Sequence, residues 1–266
     1  MDKHTKGQTR RDFMKTSAIA AGLGVAGKLY AQEQAAPAQI SSADSADDLN
    51  VAVIGLGIMG DLFIDRLIRL KGVRIKTACD IWEYKRKRMA NRLKKYGYPV
   101  TIYEDYREML EKEKDLHAVF IMTPDFVHAE QAIACLQAGL HVYCEAPMSH
   151  DAAQARRMVQ TARETGKLLQ IGHELRSNPR YIHAIQTLIR DRHVLGRVTH
   201  GNAHWNREET TLYGWPQKYE MPAGTLEKYG YRSMQEFRNW KWFRKYSGGP
   251  LVIYGAQQLD VFNWAL

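Results

Sequence analysis

Three glycines and one carboxylate have the spacing that prescribes chemistry most directly in this chain. Residues 50–60 read "NVAVIGLGIMG", an apolar β-branched run ending in Gly55-x-Gly57-x-x-Gly60, and "DLFIDRLIRL" follows with helical periodicity. Gly55 permits a tight turn, Gly57 lets the backbone approach a pyrophosphate, and Gly60 lets the helix pack close to its strand. The helix opens through Ile58, Met59 and Gly60, where backbone N–H donors and the helix dipole favour an anion. Asp80 ends the next apolar run, "VRIKTACD", twenty residues beyond Gly60. A carboxylate there accepts hydrogen bonds from the adenosine ribose hydroxyls and repels a 2′-phosphate, which favours NAD. Lys85 and Arg86 stand close by on the next helix, so NADP stays open.

A glycine turn holds a dinucleotide only within a larger frame, and the alternation of patterns supplies one. After the first strand, further strands are predicted at 73–80, 100–103, 116–122, 140–144 and 168–172. Helices are predicted at 82–96, 105–113, 125–138 and 150–165. Six strands separated by helices predict an α/β fold with a doubly wound parallel sheet. The dinucleotide-binding domain then covers 49–173, and 174–266 begins a second domain.

Four segments beyond the glycine turn give the chain a resemblance. "TPDFVH" (123–128) follows the fourth strand, "CEAPMSH" (144–150) the fifth, and "GHELRSNPRY" (172–181) leaves the sixth; "GGPLVIYGAQQLDVFNW" (248–264) lies near the end. In order and spacing these resemble the Gfo/Idh/MocA oxidoreductases, the family of glucose–fructose oxidoreductase and inositol dehydrogenase. The corresponding family patterns are T-P-x-x-x-H, E-K-P, the segment entering the substrate domain, and D-x-G-x-H-x-x-D. The resemblance implies a Rossmann domain followed by an α+β domain built on an open antiparallel sheet. It also implies NAD(P)-dependent hydride transfer on a sugar, glycoside or cyclitol. Thr123, Pro124 and His128 would line the nicotinamide side of the cofactor, with Glu145 and Pro147 shaping the pocket floor. Arg176, Asn178, Gln257 and Asp260 would face the substrate.

The departures concern the proton. Ala146 stands in the place of the family lysine, Ile253 in that of the aspartate and Gln257 in that of the histidine, while Glu145, Pro147, Gly255 and Asp260 keep the pattern. Oxidising an alcohol needs a hydride acceptor and a base, and a general base typically contributes about 10²–10⁴-fold. Alanine offers no donor or acceptor, and a glutamine amide does not take up a proton at ordinary pH. His173, Tyr181, His204 and Tyr254 are the replacements available by type, with His173 and Tyr254 nearest the expected cleft. Two further readings follow: a binding protein that keeps the cofactor without the chemistry, and an NAD-dependent glycosidase working through a transient keto-sugar.

"RVTHGNAHWN" (197–206) alternates and predicts a strand with His200, Asn202, His204 and Asn206 on one face. No third ligand with clear spacing joins the two histidines, so no metal site is expected. From Trp205 to Tyr246 run eleven aromatics, including four of the six tryptophans. They suit either the apolar faces of a sugar or the core of the second domain. Cys79, Cys135 and Cys144 lack metal-ligand spacing and are read as buried thiols.

The amino terminus reads as an address. "TRRDFMK" precedes the small-residue run "TSAIAAGLGVAGKLYA", which resembles a twin-arginine export signal over residues 1–38, with cleavage after Ala31 or Ala38 and a linker over 39–48. The implied partner is the export machinery and the implied location is extracytoplasmic. Residues 1–31 hold six Lys/Arg against two Asp/Glu, a large part of the formal net charge of +9. The remaining cations lie dispersed on helix faces, so no nucleic-acid partner is expected. The chain stops within the helix carrying "GAQQLDVFNWAL", where the family usually continues. The expectation is a gene fragment, or a minimal variant completed by homo-oligomerisation.

Overall fold

The computed structural model describes residues 48–98, 100–206 and 212–266. The signal-like segment and the linker through residue 47 lie outside the described residues.

The apolar runs pair as a single parallel sheet. Strands β1 (Leu49–Ile54), β2 (Val73–Cys79), β3 (Thr101–Tyr103), β4 (Ala118–Ile121), β5 (His141–Glu145) and β6 (Leu169–Gly172) lie in the order β3-β2-β1-β4-β5-β6. Between them run α1 (Ile58–Leu67), α2 (Glu83–Lys95), α3 (Tyr106–Lys112), α4 (Asp125–Gln137) and α5 (Ala152–Thr165). The central strands are apolar at successive positions because helices cover both sheet faces. Val51 and Val53 pack with Ile64 and Met89 on one side, while Ala52 and Ile54 pack with Val119, Cys135 and Met158 on the other. All three cysteines are buried and free. The strand order reverses between β1 and β4, which opens a crevice at the carboxyl ends of these strands.

The second part is helical. A 3₁₀ turn (Glu174–Ser177) leads to α6 (Pro179–Ile182), which continues as π-helix over His183–Asp191. Then come α7 (Ala223–Lys228), α8 (Met234–Arg238) and the long α9 (Gly249–Ala265). No helix among the described residues is long and apolar enough to cross a membrane.

Two expectations meet the structure here. Residues 198–206 are exposed and irregular, so His200, Asn202, His204 and Asn206 share no strand face. Among the described residues no strand follows β6; without a neighbour to complete a ladder, a lone strand has nothing to hold it extended. The aromatic segment, in turn, forms a core of its own. Met221, Leu226, Tyr231, Met234 and Tyr246 close over Trp82, which follows β2, and pack with Phe126 of α4. Phe126 meets Tyr231 edge-on with centroids 5.8 Å apart, and Trp82 meets Phe237 at 5.7 Å.

Candidate cofactor cleft and proton-transfer site

The turn after β1 fits a pyrophosphate. Gly55 has φ +92°, and a Cβ on it would fall 2.7 Å from the Met122 carbonyl oxygen; a Cβ on Gly60 would run into the carbonyl oxygen of Gly55. At Gly57 the situation is reversed, since no protein atom lies within 4 Å of the place its Cβ would take. Gly57 is also the N-cap of α1 and supplies no side-chain acceptor to the first N–H groups, which leaves them to an anion. Two glycines here serve the packing of the chain on itself, and the third keeps a space clear in front of a helix N-terminus.

Asp80 is placed at the end of β2 as expected, but it has a second task. Its Oδ2 accepts from the Leu56 N–H at 2.7 Å and its Oδ1 from the Trp82 N–H at 2.8 Å. The carboxylate thereby ties the glycine turn to the start of α2. Burial raises its pKa, and the two amides and the nearby Lys85 and Arg86 work against that rise. Arg86 is turned to the structure, donating to the Asp80 carbonyl oxygen at 2.8 Å and pairing with Glu104 at 2.9 Å.

The loop after β4 is braced from within. Thr123 Oγ1 donates to Gln131 Oε1 at 2.7 Å. His128 is buried, with Nε2 2.7 Å from the Thr123 carbonyl oxygen and Nδ1 2.8 Å from that of Pro147. Burial holds its pKa below the ordinary value. The histidine expected to line the nicotinamide is therefore a strut between the loops after β4 and β5. Next to Pro124, Asp125 is buried with one oxygen unpartnered; the other accepts from Ser247 Oγ at 3.4 Å. Burial pushes its carboxyl up to about 6.

The end of β5 carries the group best suited to move a proton. Tyr143 and Glu145 are two residues apart on the strand and share a face. A Cβ on Gly172 would fall 2.8 Å from the Tyr143 hydroxyl and 3.1 Å from Glu145 Oε2, so these oxygens converge where β6 has no side chain. Glu145 accepts from the Ala146 N–H at 3.2 Å. Burial, and then the negative charge of Glu174, push its carboxyl up to about 7. The Ala146–Pro147 bond that follows is cis.

Helix α9 closes this end. Gln257 Nε2 donates to the Gly172 carbonyl oxygen at 3.2 Å and to Glu174 Oε2 at 2.9 Å, while its Oε1 lies 3.3 Å from His173 Nδ1. Asp260 accepts from Arg176 Nε at 2.7 Å and Nη2 at 2.9 Å, with His173 at 3.9 Å. His173, Arg176, Gln257 and Asp260 are thus brought together at the end of β6. Asn178 is not among them: its Oδ1 caps α6 by accepting from the Arg180 N–H at 3.0 Å. Tyr254 meets Trp205 with ring centroids 5.6 Å apart and planes tilted by 60°, and Tyr181 and His204 are exposed. Ile253 is half-buried on α9. The sequence reading missed Tyr143, Gly172 and Glu174 as members of the site. The (i, i+2) pairing of Tyr143 with Glu145 was the available signal.

Residues 49–173 match the model of the oxidoreductase family with an NAD-binding Rossmann fold, GFO_IDH_MocA. Over these residues the chain is similar to the Gfo/Idh/MocA oxidoreductases. Among curated relatives, the 4-carboxy-2-hydroxymuconate-6-semialdehyde dehydrogenase of Sphingobium sp. is 36% identical over 137 residues, 51% of this chain and 42% of that protein. The inositol 2-dehydrogenase of Salmonella typhimurium is 30% identical over 173 residues, 64% of this chain and 49% of its own length. The chain thus spans less than half the length of these two relatives. Two solved structures share the fold. The myo-inositol 2-dehydrogenase of Lactobacillus plantarum aligns with TM-score 0.58 and 21% identity over 82% of this chain and 56% of that one. GenD2 from gentamicin A biosynthesis, solved in complex with NAD, aligns with TM-score 0.60 and 22% identity over 84% and 55%.

Proposed function

We propose that this chain is a nicotinamide-dependent oxidoreductase that oxidises a hydroxyl of a sugar, glycoside or cyclitol to a carbonyl. The observation that carries the reading is the pairing of two features at the carboxyl edge of one sheet. One is the clear space at Gly57 in front of α1; the other is the half-buried Glu145 carboxyl at the end of β5. The first fits a dinucleotide pyrophosphate and the second fits a base that works near neutral pH.

The residues divide the work as follows. The turn Gly55–Gly60 and the first N–H groups of α1 hold the pyrophosphate, and Asp80 fixes that turn. Thr123 and Pro124 border the nicotinamide end, where His128 holds two loops at a set spacing. The bound nicotinamide supplies the hydride acceptor. Glu145, ionised above about pH 7, accepts the proton of the substrate hydroxyl as the C–H hydride leaves and the C=O bond forms; in the reverse direction it returns that proton. This assigns to Glu145 the role that Ala146 cannot perform. Gln257 is held by three partners and orders His173 and Glu174. The test is Glu145→Gln in an assay of nicotinamide reduction with a panel of sugars and cyclitols. Turnover is expected to fall about 10²–10⁴-fold with nucleotide affinity retained. Turnover unchanged in the variant would remove Glu145 from the mechanism.

A second reading, cofactor binding without turnover, is favoured by the state of Gln257, whose amide cannot replace a basic histidine. Tight nucleotide binding with no reduction by any member of the panel would select it. Reduced cofactor appearing during glycoside hydrolysis only transiently, with no net accumulation, would select the glycosidase alternative. We further propose, from "TRRDFMK" and the small-residue run after it, export through the twin-arginine pathway. Cell fractionation with Arg10 and Arg11 replaced by lysine is expected to retain the chain in the cytoplasm.

A further inference from the structure

We propose that the cleft between α1 and α2 binds a phosphate monoester dianion, the 2′-phosphate of NADP(H), so that this chain binds NADP(H) more tightly than NAD(H). The inference rests on the dinucleotide reading above and reverses the preference that Asp80 alone implies.

A pocket of about 400 Å³ opens there, lined among others by Ile58 and Asp61 of α1, by Trp82, Lys85 and Arg88 around the start of α2, and by Arg238. Three cations face one carboxylate. Asp61 lies 3.6 Å from Lys85 Nζ, 3.6 Å from Arg88 Nη2 and 3.3 Å from Arg92 Nη1, so its charge is shared and the pocket stays positive. Arg238 is the distinctive member. Its guanidinium lies over the Trp82 ring at 4.9 Å and its Nε donates to the Gly214 carbonyl oxygen at 3.2 Å. No carboxylate stands within ion-pair distance of it among the described residues. A half-buried guanidinium lying over an indole, with no ion-pair partner among the described residues, keeps donors for an incoming anion and gains from one.

The position of the pocket identifies the anion. Lys85 and Arg238 both act electrostatically on Asp80, the carboxylate beside which the adenosine ribose of a dinucleotide lies in this fold. Asp80 is itself engaged by the Leu56 and Trp82 amides at 2.7 and 2.8 Å, which lessens its repulsion of a second anion. The sequence points to Lys85 and Arg86 as the neighbouring cations; the fold turns Arg86 toward Glu104 and brings Arg88 and Arg238 into the pocket instead.

Calorimetric titration of the full chain with NADP⁺ and with NAD⁺ tests this. NADP⁺ is expected to bind about tenfold tighter or more at low salt, for a dianion meeting two or three cationic donors, and the advantage is expected to shrink as ionic strength rises. Arg88→Ala, on an exposed helix position, and Arg238→Gln are each expected to cut the NADP⁺ advantage several-fold while NAD⁺ affinity moves less than about twofold. Two results overturn the inference: NAD⁺ binding as tightly as NADP⁺, or both variants weakening the two nucleotides equally. Binding of neither nucleotide overturns the oxidoreductase reading, and this inference with it, so the two failures are told apart.

Discussion

Glu145→Gln makes a prediction that does not depend on knowing the substrate. The Glu145 carboxyl is moved from its ordinary 4.5 to about 7, first by burial and then by Glu174. Below pH 4.5 it is protonated in folded and unfolded chains alike, and contributes no pH-dependent term. Between 4.5 and 7 the unfolded chain has released that proton and the folded chain has kept it, so stability falls as pH rises. Above 7 both forms are ionised and the full destabilisation, at most about 3 kcal/mol, is present. Glutamine preserves the shape and the acceptor oxygen but does not titrate. Urea unfolding of the two proteins at pH 4.5, 6 and 8 is the assay. Their difference is expected to be smallest at pH 4.5 and to grow in favour of the variant toward pH 8. Asp125, also pushed up to about 6 by burial, adds a slope of the same sign, but it is common to both proteins and cancels in the difference. In turnover, the rate of alcohol oxidation is expected to rise with pH through a midpoint near the same value. A constant difference in stability across the three pH values would refute the argument, because it would show that the folded chain does not hold the Glu145 proton.

Three other perturbations test the remaining links. Gly57→Val is expected to leave the melting temperature close to that of the parent, since no protein atom lies within 4 Å of the new Cβ, and to weaken dinucleotide affinity by about 100-fold or more, which calorimetry would detect. Asp80→Asn places an amide nitrogen against one of the Leu56 and Trp82 N–H donors, and denaturant unfolding is expected to show a loss of about 1–3 kcal/mol. Trp82→Ala opens the aromatic core and removes the indole that donates to the Tyr219 carbonyl oxygen at 2.7 Å; a loss of about 3–5 kcal/mol is expected in the same assay, with Arg238 freed from its support.

The Rossmann half was legible because its information is local. Continuous apolar runs separated by helical periods read as buried parallel strands, and the six runs pair as such. Gly55 and Gly60 were legible for the same reason, since the turn and the close helix crossing are set within a few residues. The strand over 197–206 was misread because alternation reports only that a segment could lie on a sheet; without a neighbouring ladder it does not. His128 lies in the first turn of α4, and its bracing task was not legible because its neighbours, the carbonyls of Thr123 and Pro147, come from two different strand ends.

What the sequence determined by itself, then, is the alternating fold, the pyrophosphate turn, the absence of the family's lysine at Ala146 and the presence of Asp80 at the end of β2. Tertiary structure decided which charges act. It turned Arg86 to Glu104 and brought Arg88 and Arg238, 150 positions apart in the chain, to one cleft. It set Glu145 beside Gly172 and Glu174 and so moved its proton into the neutral range. It gathered eight of the eleven aromatics into a core over Trp82 and left Trp205, Tyr213 and Trp242 exposed. The physical reason is common to all three: desolvation and Coulomb interaction depend on what lies within a few ångströms, and that neighbourhood is assembled from segments whose separation along the chain carries no trace of it.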